Sequence, residues 1–277
     1  MSTATTPLLI GVAPNGARRT KSDHEALPIT AAEVATTAAR CRLAGAGLLH
    51  LHVRDDQGAH SLSAPLYREA IRQVRRMAGA ELLVQITTES CGLFDPLQQI
   101  AAVRGASPEA ASFALRELFS NGVVSQAVAE FFAWELGRGR SAQYILYEPA
   151  EIAFLQSLVE SGLLPVDQPH GLFVLGRYAQ DQQADPAELD EFLAAWPAQW
   201  PWSACAFGRA ELPVAERVIA LGGHVRVGFE NSLEQPDGSP LESPEARVAQ
   251  VAQLAAAAGR PLASPEQVRA LFRTRQA

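Results

Sequence analysis

The chain has 277 residues, 48% of them hydrophobic and 19% charged, with a formal net charge of −7. That length suits one large barrel or two ordinary domains, and an acidic chain with no basic run longer than two residues is not built to grip nucleic acid. Its 3 cysteines are scattered with no CxxC pattern, no apolar run approaches the roughly 18 residues of a membrane span, and the N-terminus does not read as a signal peptide, so the expectation is a cytoplasmic protein with no membrane or nucleic-acid partner.

The first strand-like run is "LLIGVAP" (8–14), followed by a long polar loop, "NGARRTKSDH" (15–24). Asn15 in that loop is a candidate substrate-binding residue, because a loop so rich in polar and basic groups can hold a carboxylate or phosphate. A helix is expected over 28–45, with Thr30 as N-cap, Glu33 completing a capping box, and Gly45 as its stop. The second run is "GLLHLHVRD" (47–55), and a second helix follows over 63–79. Further runs are "ELLVQITTE" (81–89), "ASFALR" (111–116), "QYILYEP" (143–149), "GLFVLG" (171–176), "WSACAFG" (202–208) and "GHVRVGFE" (223–230). Helices are also expected over 185–197, 243–260 and, as a short terminal element, 264–276, each opening on an Asp-Pro or Ser-Pro start.

Eight strand-like runs at a spacing of roughly 30 residues, with no break in composition, predict a single (β/α)8 TIM barrel spanning 1–277. A doubly wound open sheet is the alternative. The first strand is not followed by G-x-G-x-x-G, which weakens the dinucleotide-binding form of that fold.

In a barrel, chemistry gathers at the C-terminal ends of the strands. Side chains alternate along a strand, so Leu48, His50, His52 and Arg54 share one face while Leu49, Leu51 and Val53 share the apolar one. The histidine face should point inward, and two imidazoles about 7 Å apart can converge on one ion, for which zinc is suited. The same parity on the last run sets Arg226, Gly228 and Glu230 inward. Strand 8 should lie one strand away from strand 2, so Glu230 can complete a His2Glu set with His50 and His52. Arg226, inward on the same face, can anchor a substrate carboxylate bidentately or only neutralise Glu230. Thr87, Thr88 and Arg54 are further substrate-binding candidates at strand ends, and Glu89 follows them.

These segments resemble a known family, the β-keto acid cleavage enzymes, whose founding activity is 3-keto-5-aminohexanoate cleavage. The resemblance rests on "APNGARRTKSDHEALPIT", "GAGLLHLHVRDDQGAHSL", "LLVQITT", "FVLG", "GRAELPVAERVIALGGHVRVGFEN" and "QPDG". It implies a TIM barrel, a homotetramer or homodimer, and one zinc ion per chain on His50, His52 and Glu230. It also implies a Claisen-type exchange in which a β-keto acid and acetyl-CoA give acetoacetate and a new acyl-CoA. Arg226 and Thr87 match family positions that contact substrate. One departure touches the chemistry: where the family has an Asp after its Glu ligand, tied to the base, this chain has Asn231. Another is that the family's Gly-Gly after strand 3 is Glu89-Ser90 here. Asn231 and Glu89 therefore join Arg226 as the catalytic candidates. The substitution at 231 leaves open a zinc hydrolase or lyase acting without CoA, and the changes in the walls around the site leave open a ligand-binding barrel without turnover.

Overall fold

A computed structural model describes residues 6–119, 122 and 124–272. Strand β1 (Ile10–Val12) leads through the polar loop to helix α1 (Ala31–Ala44), and β2 (Leu48–Leu51) is followed by a small antiparallel hairpin, β3 (Val53–Arg54) and β4 (His60–Ser61). Next come α2 (Ala64–Ala78), β5 (Leu83–Ile86), α3 (Pro96–Ala106), β6 (Ala110–Ala114), the single turn α4 (Leu115–Leu118) and α5 (Gln126–Gly137). The second half runs β7 (Ser141–Leu146), α6 (Ala150–Glu160), β8 (His170–Leu175), α7 (Glu188–Ala195), β9 (Trp202–Ala206) and α8 (Glu211–Ala220). It ends with β10 (His224–Val227), α9 (Pro244–Ala257) and α10 (Pro265–Ala270).

Eight parallel strands close in the order β1-β10-β9-β8-β7-β6-β5-β2, the (β/α)8 TIM barrel expected from the spacing of the apolar runs. Local chemistry sets the helix ends. Thr30 accepts from the Glu33 amide while Glu33 reaches back to the Thr30 amide, and Ser264 with Gln267 repeats the device at α10. Ser63 stands at the N-cap of α2 but makes no capping hydrogen bond. The expected terminal helix is shorter than 264–276, and residues 273–276 of that expectation lie outside the described residues.

Strand parity sorts the core as predicted. Leu49, Leu51, Val84, Ile86, Phe173, Val225 and Val227 pack outward in one cluster under the helices. Inside the barrel, Leu9, Leu48, Leu83 and Ala110 meet Val268 and Phe272 from the α10 segment, which plugs the N-terminal end. Nearer the C-terminal end, Ala114, Ile145, Leu172, Val174, Cys205 and Phe207 form an apolar patch along one side of the bore. The opposite side is polar, and there the functional groups converge.

The strand ends differ from their sequence outline in two places. β2 stops at Leu51, and Arg54 belongs to the hairpin. β10 stops at Val227, and the chain turns sharply at Gly228. Its φ of +132° and a would-be Cβ only 2.5 Å from the Ala13 oxygen make that turn accessible to glycine alone.

Candidate active site

His50 sits on the last full turn of the β2 pleat, in register with Gln85 of β5. Its Nδ1 lies 2.9 Å from Gln85 Oε1, and Gln85 passes its own amide N–H to Gln143 Oε1 at 3.1 Å. With the Gln85 oxygen facing the ring, Nδ1 carries the proton and Nε2 presents a lone pair to the bore. Burial pushes the His50 imidazolium down to about 3, so the ring is a neutral donor of electrons. His52, one residue beyond the strand, brings its Nε2 to 3.1 Å from that of His50.

Glu230 reaches the same point from the turn after β10. Asn231 and Ser232 both donate backbone N–H groups to the Gly228 oxygen, and the Glu230 amide donates to the oxygen of Ala13, just past β1. Glu230 Oε2 ends 3.3 Å from His52 Nε2 and 3.7 Å from His50 Nε2. Its other oxygen, Oε1, lies 3.4 Å from Arg226. Burial opposes the charge on Glu230, but Arg226 and the two imidazoles outweigh it and hold the carboxyl well below the usual carboxylate range. One donor atom from each of His50, His52 and Glu230 lies within 4.8 Å of the others. Glu230 Oε2 has no hydrogen-bond partner although it is buried. Two imidazole nitrogens and a carboxylate oxygen without a hydrogen-bond partner converge on one point, a donor set that could hold a divalent metal ion. Gln85 would fix the ligating ring as a hydrogen-bonded support does in metal sites.

Behind this group, Glu211 of α8 holds the turn in place. Its Oε1 accepts from the Gly228 amide at 2.8 Å, and Arg247 of α9 pairs with Oε2 at 2.8 Å.

A narrow cavity of ≈ 20 Å³, lined by His50, Thr87, Glu89, Tyr147, Arg226 and Glu230 among others, opens onto the group formed by His50, His52 and Glu230 at the C-terminal end of the barrel. A second, of ≈ 50 Å³, continues toward the polar loop past Asn15, Arg18, Arg19 and Arg177. The largest cavity, ≈ 680 Å³ beside Trp200, Trp202 and His224, lies at the opposite end, where no comparable donor set converges among the described residues. Size alone is a poor guide here, because the inner cavity is where the titratable groups meet.

The structure brings most of the sequence candidates together and sets three of them apart from the inner cavity. Thr87, Glu89, Arg226, His50 and Glu230 border the inner cavity, His52 stands directly behind His50, and Asn15 borders the cavity's continuation with its Oδ1 buried and unpartnered. Arg54 borders neither of these two cavities. Its guanidinium donates to the backbone oxygens of Gly16, Arg19 and Gly58, so it staples the first loop to the hairpin. Thr88 turns away as well, since its hydroxyl donates to Ser112 on the neighbouring strand at 2.8 Å. Asn231 is fully buried but does not border the cavity, and neither atom of its amide has a hydrogen-bond partner.

The sequence reading names neither Tyr147 nor Arg177 as a candidate, yet both line the inner cavity. The one available signal was position, because Arg177 follows β8 and Tyr147 follows β7 directly.

Comparison with known proteins agrees with this geometry. Residues 7–273 match the family model described as beta-keto acid cleavage enzyme. The chain is similar to the 3-keto-5-aminohexanoate cleavage enzyme of Acetoanaerobium sticklandii, at 28% identity over 96% of this chain and 97% of that protein. It is also similar to the 3-oxoadipate:acetyl-CoA acetyltransferase of Cupriavidus necator, at 28% identity over 97% and 95% of the two chains. Among solved structures, a ternary complex of ObcA with a C4-CoA adduct and oxalate shares the fold, with a TM-score of 0.70 at 17% identity, covering 89% of this chain and 67% of that one. A barrel with these ligating residues at its mouth, matched by the family model over nearly its whole length, belongs to the β-keto acid cleavage enzyme family.

Proposed function

We propose that the protein exchanges acyl groups between a β-keto acid and acetyl-CoA, giving acetoacetate and a new acyl-CoA, with zinc held by His50, His52 and Glu230. The observation that carries this reading is the convergence of those three residues, with Arg226 against Glu230, beside a cavity at the C-terminal end of the barrel. The named activities of the relatives, keto acid cleavage and transfer to or from acetyl-CoA, support the same chemistry.

Bound there, zinc would act as a Lewis acid toward the keto and carboxylate oxygens of the substrate. Arg226, inside the bore, receives the carboxylate, and the Thr87 hydroxyl is within the same cavity to donate a hydrogen bond. Glu89 supplies the carboxylate that position 231 lacks, and it takes a proton from the carbon between the two carbonyl groups. That carbon attacks the thioester carbonyl of acetyl-CoA and expels CoA thiolate. The thiolate then attacks the original keto carbon, and the bond between that carbon and the central one breaks. The electron pair returns to the central carbon, which recovers its proton from Glu89 and leaves as acetoacetate. The apolar patch of Ala114, Ile145, Val174 and Phe207 excludes water from the opposite side of the cavity, which protects the carbanion from premature protonation.

The test is incubation of zinc-loaded protein with acetyl-CoA and a panel of β-keto acids, following CoA esters by mass. Formation of acetoacetate together with a new acyl-CoA is the expected result. If no acid in the panel yields a new CoA ester, the reading is wrong.

A further inference from the structure

We propose that this site selects β-keto acids bearing a second, distal carboxylate, and that Arg177 is the residue that receives it. The inference rests on the β-keto acid reading of the same site and adds the class of substrate.

Arg177 follows β8 and Glu89 follows β5, and the two side chains meet across the mouth of the barrel at 3.3 Å, 12% and 15% exposed. The Arg177 guanidinium lies 5.1 Å from the centre of the Phe207 ring, which backs its flat face and limits where it can swing. An arginine has five N–H donors, yet among the described residues this one makes a single side-chain hydrogen bond, the one to Glu89. Arg177 borders both the inner cavity and its continuation, so its unused donors face the space a ligand must enter. The inner cavity, at ≈ 20 Å³, holds no more than about one or two waters, so a ligand must displace something to enter. The long single contact between Glu89 and Arg177 is the weakest link in the wall, and a carboxylate arriving at Arg177 replaces like with like.

Charge selects the same class. The two cavities are bordered by Arg18, Arg19, Arg177 and Arg226 against only Glu89 and Glu230, and a divalent ion on the ligating set makes the surroundings more positive still. A dianion relieves this excess twice, once at Arg226 and once at Arg177. An ammonium group at the distal end would instead face Arg177. Between the two arginines the wall is Ile145, Val174 and Phe207, an apolar strip suited to the methylene spacer of a dicarboxylic acid.

The experiment compares three β-keto acids of equal chain length, ending in carboxylate, methyl and ammonium, with zinc-loaded protein and acetyl-CoA. Wild type is expected to prefer the dicarboxylic acid by about tenfold or more in kcat/KM, and Arg177→Met to abolish that preference through a fall of about 100-fold on that substrate, the scale of a lost bidentate charge pair. Arg177→Lys, which keeps the charge without the fork, should retain part of it. Calorimetry with adipate against hexanoate, neither of which can react, reads the same recognition without turnover. Preference for the methyl- or ammonium-ended acid, with cleavage intact, overturns the inference and leaves the proposed function standing. Adipate binding that depends on Arg177, with no turnover of any acid, overturns the proposed function and supports the inference. Neither binding nor turnover overturns both.

Discussion

Gly16 and Glu230 are fitted to one another: a Cβ at Gly16 would lie 2.6 Å from Glu230 Cγ, and Gly16 holds a φ of +62° that side chains disfavour. The first loop therefore closes over the stem of a ligating residue 214 positions later, with no room between them. Gly16→Ala is expected to displace Glu230 and to weaken metal binding about tenfold or more, with a backbone cost on the order of 1 kcal/mol. Competition against a chelator measures it, and unchanged affinity would remove Gly16 from the construction of the site.

His50→Ala and His52→Ala should each lose metal and activity together, because the remaining pair of ligands cannot hold the ion. Gln85→Leu is subtler. It leaves the ring in place but strands its Nδ1–H in the bore, and a loss of about 10–100-fold in metal affinity is expected. Full zinc occupancy in either alanine variant, by elemental analysis, would refute the ligand assignment.

Glu89 and Asn231 separate the two possible sites of the base. Glu89 borders the cavity and Asn231 does not. Glu89→Gln is expected to lower kcat by about 100-fold or more with a smaller change in KM, and Asn231→Asp to give no gain. A rise in turnover with Asp at position 231 would move the base there.

Glu135 of α5 gives a prediction about stability. It is fully buried, neither oxygen has a hydrogen-bond partner, and the nearest cation, Arg140, is 3.7 Å away. Burial pushes its carboxyl up from 4.5 to about 7, against the pull of Arg140. A folded-state value above the unfolded one means the native state favours the protonated acid. Its contribution is complete below about pH 4.5 and is lost as the pH rises through about 7. Between pH 5 and pH 8 wild type should therefore lose on the order of 2 kcal/mol relative to Glu135→Gln. Urea denaturation of both proteins at the two pH values decides the matter, and parallel losses would refute it.

How far the sequence carried the structure depends on distance along the chain. The barrel was legible because each strand announces itself locally, as in "LLHL" with Leu49 and Leu51 outward and His50 inward. Glu230 was reached by strand parity, although it stands in a turn beyond the strand's end. The choice survived because the turn at Gly228 returns the chain to the same side of the barrel. That Arg54 and Thr88 lie off the inner cavity was not legible, because parity tells which way a side chain leaves the backbone and not what it finds there. Arg54 finds backbone oxygens of the first loop and of the hairpin turn, and Thr88 finds the carbonyl of Ser112. The pairing of Glu89 with Arg177 joins residues 88 positions apart through loops with no periodicity, so nothing local records it.

The proposed metal ligands come from β2 and the residue just after it, and from the turn after β10, and β1 runs between those two strands. The site therefore straddles the seam where the ring of strands is sewn shut. A bound ion acts as a clasp on that seam, joining the second βα unit to the eighth. Until the last strand docks, the two imidazoles face an incomplete set, so tight metal uptake reports closure of the ring itself. A barrel stripped of its ion is then expected to loosen first along β1, at its own fastening.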